Sequence, residues 1–351
     1  MSTSTPHESM LPSQARAGTI APAAQGSAEG TMAAKRLAAP PWHRIALAGV
    51  LLLAALLNFW WLNREGFSNL YYAATVRSML SSWHNFLYAS YDPGGFVSVD
   101  KPPLGLWIQA ASAMLFGFRG LSLLLPQALA GVLCVGVLYH LVRRPFGVAA
   151  GLLAALMLAL TPVNVATNRN NTMDSLLVLA LLLAAWAVSR AAESGRLRLL
   201  ILGMVLVGVG FNVKMLQAYL ALPAFYLVYL VGAPLRRRTR LAHLALATVV
   251  LLGVSLSWAL AVDLTPPDRR PYVGGSTNNR VLDLIVGYNG LARLLPGGLL
   301  PRGMAAAPQP AFAPGPRPLP QGPAGIAPAP QSGAGGPPGM AGPAPAGGFI
   351  V

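Results

Sequence analysis

Seven predominantly apolar runs of 17 to 22 residues dominate the chain: 45–62, 121–142, 147–163, 174–190, 197–213, 216–233 and 241–262. A helix needs roughly 17–25 such residues to cross the hydrocarbon of a bilayer. In lipid, only helices and closed barrels satisfy every backbone polar group. Runs this long therefore predict an all-α, multi-pass membrane protein with about seven spans. Charge agrees. Only 10% of the 351 residues are charged and mean hydropathy is +0.55, whereas a soluble domain carries about 25% charged residues. Too few charges are present to clothe a water-facing surface.

The run 104–118 is also apolar, but it has 15 residues and follows Pro102-Pro103 directly. It is expected to lie on the membrane surface rather than cross. The basic residues support this choice. With 104–118 not crossing, Lys35, Arg36, Arg44, Arg143, Arg144, Arg190, Arg196, Arg198 and Arg236–Arg240 share one side, and the turns on the other hold Arg169 and Lys214. That is the asymmetry of the positive-inside rule. It predicts a cytoplasmic N-terminus in an inner (plasma) membrane protein, with loops 63–120 and 164–173, the Lys214 turn and everything after Asp263 outside. The formal net charge of +15 then reflects topology, and no nucleic-acid partner is expected. Cys134 is the single cysteine, which excludes an internal disulfide and a Cys/His zinc site.

The expected organisation is a disordered cytoplasmic tail over 1–43, a transmembrane region over 44–263, an outer loop over 264–294 and a Pro/Gly/Ala-rich low-complexity segment over 295–351. The chain reads as the N-terminal part of a longer one. Within 63–120, two amphipathic interfacial helices are expected, 67–83 with Ser68 as N-cap and 103–117. Asp92-Pro93-Gly94-Gly95 is a turn signal between them. Asp100-Lys101-Pro102-Pro103 places a carboxylate and an ammonium side by side ahead of the second helix.

The ordered motifs YYAATVRSM (71–79), VDKPPL (99–104), LPQALAG (125–131), RNNTMD (169–174) and FNVKMLQA (211–218) resemble the bacterial branch of the protein-O-mannosyltransferase-like family, glycosyltransferase family 39. The aminoarabinose transferases of lipid A belong to the same superfamily. SWHNFLYASYDPGGFVSVDKPPLG and RPYVGGSTNN match its bacterial "mannosyltransferase" subgroup. The resemblance covers 45 to about 295. It implies a GT-C-type polytopic helical bundle with its site on the outer face, a polyprenyl-phosphate-linked sugar donor, and inverting transfer to a cell-envelope acceptor. It also implies a phosphate-contacting role for Lys101 and site positions at Asp174 and Lys214. Where the wider family has an acidic pair that includes the catalytic base, this chain reads Ser68-Asn69, so the base must come from elsewhere.

Inverting transfer needs a carboxylate to take the acceptor proton and positive charge to stabilise the leaving phosphate. The base candidates are Asp100, favoured because the following prolines preorganise it, and Asp92, which could equally be a turn carboxylate. Asp174 at the start of a span could orient a neighbour, or simply favour the helix N-terminus. Lys101, Lys214, Arg169 and Arg293 are the phosphate candidates, with Lys101 and Lys214 expected to converge on one phosphate. Lys214 could instead be snorkelling to the headgroups. Asn69, Tyr72, His84, Asn170 and Asn171 are candidates for sugar or acceptor binding, although turn chemistry and interfacial anchoring account for such residues nearly as well. Asn168 belongs with the asparagines of that turn. No metal or cofactor is required by these patterns. A nucleotide-sugar donor is disfavoured, because neither a nucleotide-binding glycine fingerprint nor a DxD motif is present. Two other classes remain open: a transporter or flippase, and a scaffold or inactive fragment.

Overall fold

The structure, a computed structural model, describes residues 42–291. Its helices are α1 Trp42–Phe59, α2 Leu70–Met79, α3 Trp83–Tyr88, α4 Leu104–Phe116, α5 Gly120–Phe146, α6 Val148–Leu160, α7 Pro162–Asn168, α8 Asp174–Ser194, α9 Leu197–Lys214, α10 Leu222–Gly232, α11 Arg237–Leu264 and α12 Val281–Val286. No β-strand is formed among the described residues beyond two isolated bridges. The protein is an all-α polytopic membrane protein.

By length and apolarity, five segments can cross a bilayer: Trp42–Glu65, Gly120–Phe146, Asp174–Ser194, Leu197–Gly232 and Arg237–Leu264. The α6–α7 pair, bent by 62°, supplies a sixth. The bend falls at Pro162, which cannot donate the helical hydrogen bond. Leu197–Gly232 is a hairpin and not one long rod. Met215 has φ 50°, and a seven-residue 3-10 stretch, Met215–Ala221, leads into α10. The rings of Phe211 and Tyr219 lie 5.0 Å apart, whereas eight residues of continuous helix would separate them by about 12 Å. A Cβ on Gly232 would lie 3.4 Å from that of Ala192, so α10 ends where α8 ends and α9 begins. With α9 and the Met215–Gly232 stretch counted separately, seven segments among the described residues run between the two ends of the bundle.

Two boundaries differ from expectation. The helix expected over 67–83 is two helices. Ser68 has φ 56°, and the cap falls to Asn69, whose side chain accepts from the Tyr71 and Tyr72 N–H groups. Ser82 then caps a separate helix by accepting from the Asn85 N–H. The run 104–118 forms the short α4 and does not cross. Gly120 abuts the Gly66 carbonyl so closely that a Cβ there would collide with it, and Phe67 stacks on Phe118 at 5.0 Å. Residues 66 to 120 therefore leave and return at the same end of the bundle.

Small residues let the central helices approach. Ala180, Ala184, Ala187 and Ala191 are buried along α8. A Cβ on Gly203 would strike Val188 at 2.6 Å, and one on Gly210 would lie 3.2 Å from Leu177. This is how bilayer helices pack when apolar burial gives no driving force. The outward faces keep Leu52, Leu153, Met157, Val231 and Val249 exposed, as lipid contact requires.

Candidate functional site

Asp100 and Lys101 end a small hairpin whose Ala89 and Val99 are buried in the main core. Ser90 and Ser98 bridge antiparallel, and Val97 bridges Tyr272 in parallel. The Asp92 carboxylate closes the turn by accepting from the Phe96 N–H at 3.1 Å and the Val97 N–H at 2.9 Å. Burial, the largest single influence, pulls the Asp92 carboxyl upward, but the N–H groups together, Val97 foremost, outweigh it and hold it below the usual carboxylate range. Asp92 is thus engaged with its own loop.

The hairpin delivers Asp100 into a polar cluster. Lys101 Nζ donates to Asp100 Oδ2 at 2.6 Å and to Asn289 Oδ1 at 3.2 Å, and Asn289 Nδ2 donates to the Asp100 carbonyl at 2.9 Å. Nζ also lies 5.3 Å from the Tyr288 ring centroid, within cation–π range. The Lys101 side chain is 5% exposed and that of Asp100 16%. Asp100 Oδ1 is buried and has no hydrogen-bond partner among the described residues. The Tyr71 hydroxyl accepts from the Asp100 N–H at 3.3 Å. Burial, reinforced by the Asp100 charge, raises the Tyr71 phenol well above its ordinary value and keeps it protonated. Over this cluster sits the Gly274-Gly275 turn. A Cβ on Gly275, whose φ is +79°, would lie 3.3 Å from that of Asp100.

A second ion pair joins the first residue of α8 to the last of α9: Lys214 Nζ donates to Asp174 Oδ1. One position locates it beside the first. A Cβ on Gly105 would strike the Met173 side chain and lie 3.7 Å from Val213 Cγ1. The helix that starts after Lys101 therefore packs on the residues immediately before Asp174 and Lys214. Leu216 closes the other side, where a Cβ on Gly290 would lie 2.9 Å from its Cδ1. All four charged side chains gather at one end of the bundle. Each lysine holds its own carboxylate.

The other candidates have local partners. Arg169 donates to Glu65 Oε1 at 2.7 Å and to the Leu57 and Trp60 carbonyls at 3.0 and 2.8 Å, so its guanidinium caps the end of α1. Asn171 is fully buried and pairs reciprocally with Asn69, accepting from its N–H at 2.9 Å and donating to its carbonyl at 3.0 Å. This pair fixes the start of α2 to the turn before α8. Asn170 accepts from the Thr172 N–H in a local turn, and Asn168 accepts from the Ser175 hydroxyl. His84 is exposed, its ring lies tilted against that of Tyr88 at 4.8 Å, and its Nε2 is 3.3 Å from the Arg269 carbonyl. Tyr72 is half-buried against the core, its ring 5.4 Å from that of Tyr71. Arg293 lies outside the described residues. Among the described residues, no three His, Cys, Asp or Glu side chains gather as metal ligands would.

Asn289, Tyr288 and Tyr71 escaped the sequence reading. Asn289 sits between the glycines of GYNGLARL (287–294), and an amide there carries no sign in sequence of a partner 188 residues away. Arg270 was likewise hidden inside RPYVGGSTNN. It is buried, and it clasps Asn279 through both Oδ1 at 2.9 Å and the carbonyl at 2.8 Å, which holds the Gly274-Gly275 turn in place.

Comparison with known proteins agrees with this picture. Residues 100–258 match the family model described as dolichyl-phosphate-mannose-protein mannosyltransferase. Two proteins of Bacillus subtilis (strain 168), each named "Putative mannosyltransferase", are similar: YycA, 49% identical over 249 residues (71% of this chain, 36% of YycA), and YkcB, 48% identical over 250 residues (71% and 35%). The chain thus spans about a third of the length of these relatives. No solved structure matches it. The matched stretch opens at Asp100 and contains Lys101, Asp174 and Lys214, and over these residues the chain is of the dolichyl-phosphate-mannose-protein mannosyltransferase type.

Proposed function

We propose that the protein is a membrane glycosyltransferase that moves a sugar from a polyprenyl-phosphate donor to a hydroxyl of a cell-envelope acceptor, at the membrane face bearing Asp100. The arginines Arg143, Arg144, Arg190, Arg196, Arg198 and Arg236–Arg238 lie at the opposite end of the bundle. By the positive-inside rule that end is cytoplasmic and the site is extracytoplasmic.

The observation that carries this reading is the state of the Asp100 carboxylate. One oxygen is tied to Lys101, and the other is buried without a partner among the described residues. A buried unpaired carboxylate oxygen is costly, and it is the atom a general base needs free. In the proposed reaction the acceptor oxygen attacks the anomeric carbon as the bond from that carbon to the phosphate oxygen breaks. The hydroxyl proton passes to Asp100, and the bonding pair departs with the phosphate. Lys101 and Lys214 stabilise the charge gathering there. Asp174 positions Lys214, and Asn289 positions Lys101. The Gly274-Gly275 turn must shift to admit the acceptor hydroxyl to Oδ1. A lipid-linked donor fits the depth of the site, because Lys214 stands at the end of a membrane helix, where headgroup phosphates lie, and the short α4 that follows Lys101 packs beside it.

The test is mannosyl transfer in proteoliposomes containing polyprenyl-phosphate mannose. Lys101→Gln and Lys214→Gln should each slow transfer by at least about ten-fold and raise the donor KM. Unaltered donor dependence in both variants would remove the phosphate assignment. Transfer from a nucleotide-linked mannose without the lipid would overturn the donor class.

A further inference from the structure

At the end of the bundle away from Asp100, the last turns of α5, α8 and α10 enclose a cleft of about 850 Å³. Three guanidinium groups, Arg143, Arg144 and Arg190, face it against one carboxylate, Glu193. Glu193 pairs with Arg144 at 2.5 Å and with Arg190 at 3.8 Å. Arg143 lies against the Tyr139 ring, 5.6 Å from its centroid. Arg144 and Arg190 keep 46% and 45% of their side chains exposed. Three cations and one anion leave the cleft at +2. Trp186 and Val228 form an apolar flank that is itself 41% and 45% exposed, toward the lipid side of α8 and α10.

We propose that this cleft binds an anionic phospholipid, its phosphate held by Arg144 and Arg190 and its acyl chains laid along the Trp186 and Val228 flank. Basic pockets between helix ends suit lipid phosphates, and guanidinium forks bind phosphate oxygens bidentately. The apolar flank separates a lipid from a soluble anion, since a free phosphate would leave it unused. Trp186 stands near the end of a crossing helix, where an amphipathic ring favours the headgroup boundary. Glu193 pairs with both arginines, so the headgroup phosphate must compete with it. The 21 residues of α8 span about 30 Å between this cleft and the Asp174–Lys214 pair, and the inference does not depend on sugar transfer.

The test is titration of the detergent-purified chain with phosphatidylglycerol and with phosphatidylcholine, read as lipid adducts by native mass spectrometry. Phosphatidylglycerol should bind at least about ten-fold more tightly than phosphatidylcholine. That preference should vanish in R144Q/R190Q and persist in the control R237Q/R238Q. Glu193→Gln should tighten phosphatidylglycerol binding several-fold, a gain that a misfolded protein could not show. Equal binding of the two lipids, or a preference unchanged in both R144Q/R190Q and Glu193→Gln, would overturn the proposal. Displacement of the lipid by millimolar glycerol phosphate would also overturn it, by identifying a soluble-anion site.

Discussion

Asp174 and Lys214 pair across the helical hairpin so that each also meets a favourable backbone dipole. Asp174 is the first residue of α8 and Lys214 the last of α9. A carboxylate at a helix N-terminus and an ammonium at a C-terminus are each stabilised by the unpaired backbone groups there. The contact thus joins two spans at the level of the site.

A double-mutant cycle should detect this pair. Asp174→Ala and Lys214→Ala should each lower stability, with a coupling energy of about 1 kcal/mol, the size expected for a partly exposed pair aided by helix ends. Thermal unfolding in detergent is the measurement. The swap D174K/K214D should not recover the loss, because both charges would then oppose their dipoles.

Arg169 was a phosphate candidate on sequence grounds, and its geometry indicates a structural task. Its guanidinium holds Glu65 and two carbonyls at the end of α1. Arg169→Gln should cost about 1–2 kcal/mol of stability and leave the donor KM unchanged. A raised donor KM with unaltered stability would return Arg169 to the phosphate site.

Asn289 should matter more than an uncharged residue in a Gly-rich segment suggests. It accepts from Lys101 and donates to the Asp100 carbonyl. Removing a hydrogen bond to a charged group costs roughly 1.5–3 kcal/mol. Asn289→Ala should therefore slow transfer by about ten- to hundred-fold, and Asn289→Gln should not restore it if the spacing is tight. Initial rates with saturating donor are the readout.

The hairpin that carries Asp100 should respond to acid in a defined window. The Asp92 carboxyl is held below its ordinary value of 3.8 in the folded hairpin, so its contribution is complete above that value and is lost as pH falls through the lower, folded one. Hydrogen exchange at the Phe96 and Val97 amides should stay slow from neutral pH down to about 4 and accelerate only below it, once intrinsic rates are corrected. In Asp92→Asn the exchange should be faster at neutral pH and lose this acid dependence.

The transmembrane plan was legible because it rests on local quantities. The length of each apolar run and the side on which Arg143, Arg190 and Arg236 fall require no knowledge of partners, and they separated the short α4 from the true crossings. Pro162 and the Lys214–Met215 reversal adjusted boundaries that hydropathy cannot resolve. The site was legible only as a set of charges. Asp100 with Lys101 could be read because they are adjacent. The sequence separation of 40 between Asp174 and Lys214 hid that each lysine has its own carboxylate. Asn69 and Asn171 were candidates for sugar or acceptor binding alongside turn chemistry, and backbone groups engage both: Asn69 caps α2, and the Asn171 amide pairs with the Asn69 backbone. A polar side chain in sequence carries no record of whether a backbone group or a substrate fills its bonds.

The account turns on Asp100 as proton acceptor, and the most direct measurement is single-turnover mannosyl transfer from radiolabelled polyprenyl-phosphate mannose by Asp100→Asn, with donor binding followed in the same proteoliposomes. The account predicts donor binding retained and transfer slowed by at least about a hundred-fold. Transfer by Asp100→Asn at the wild-type rate would contradict it.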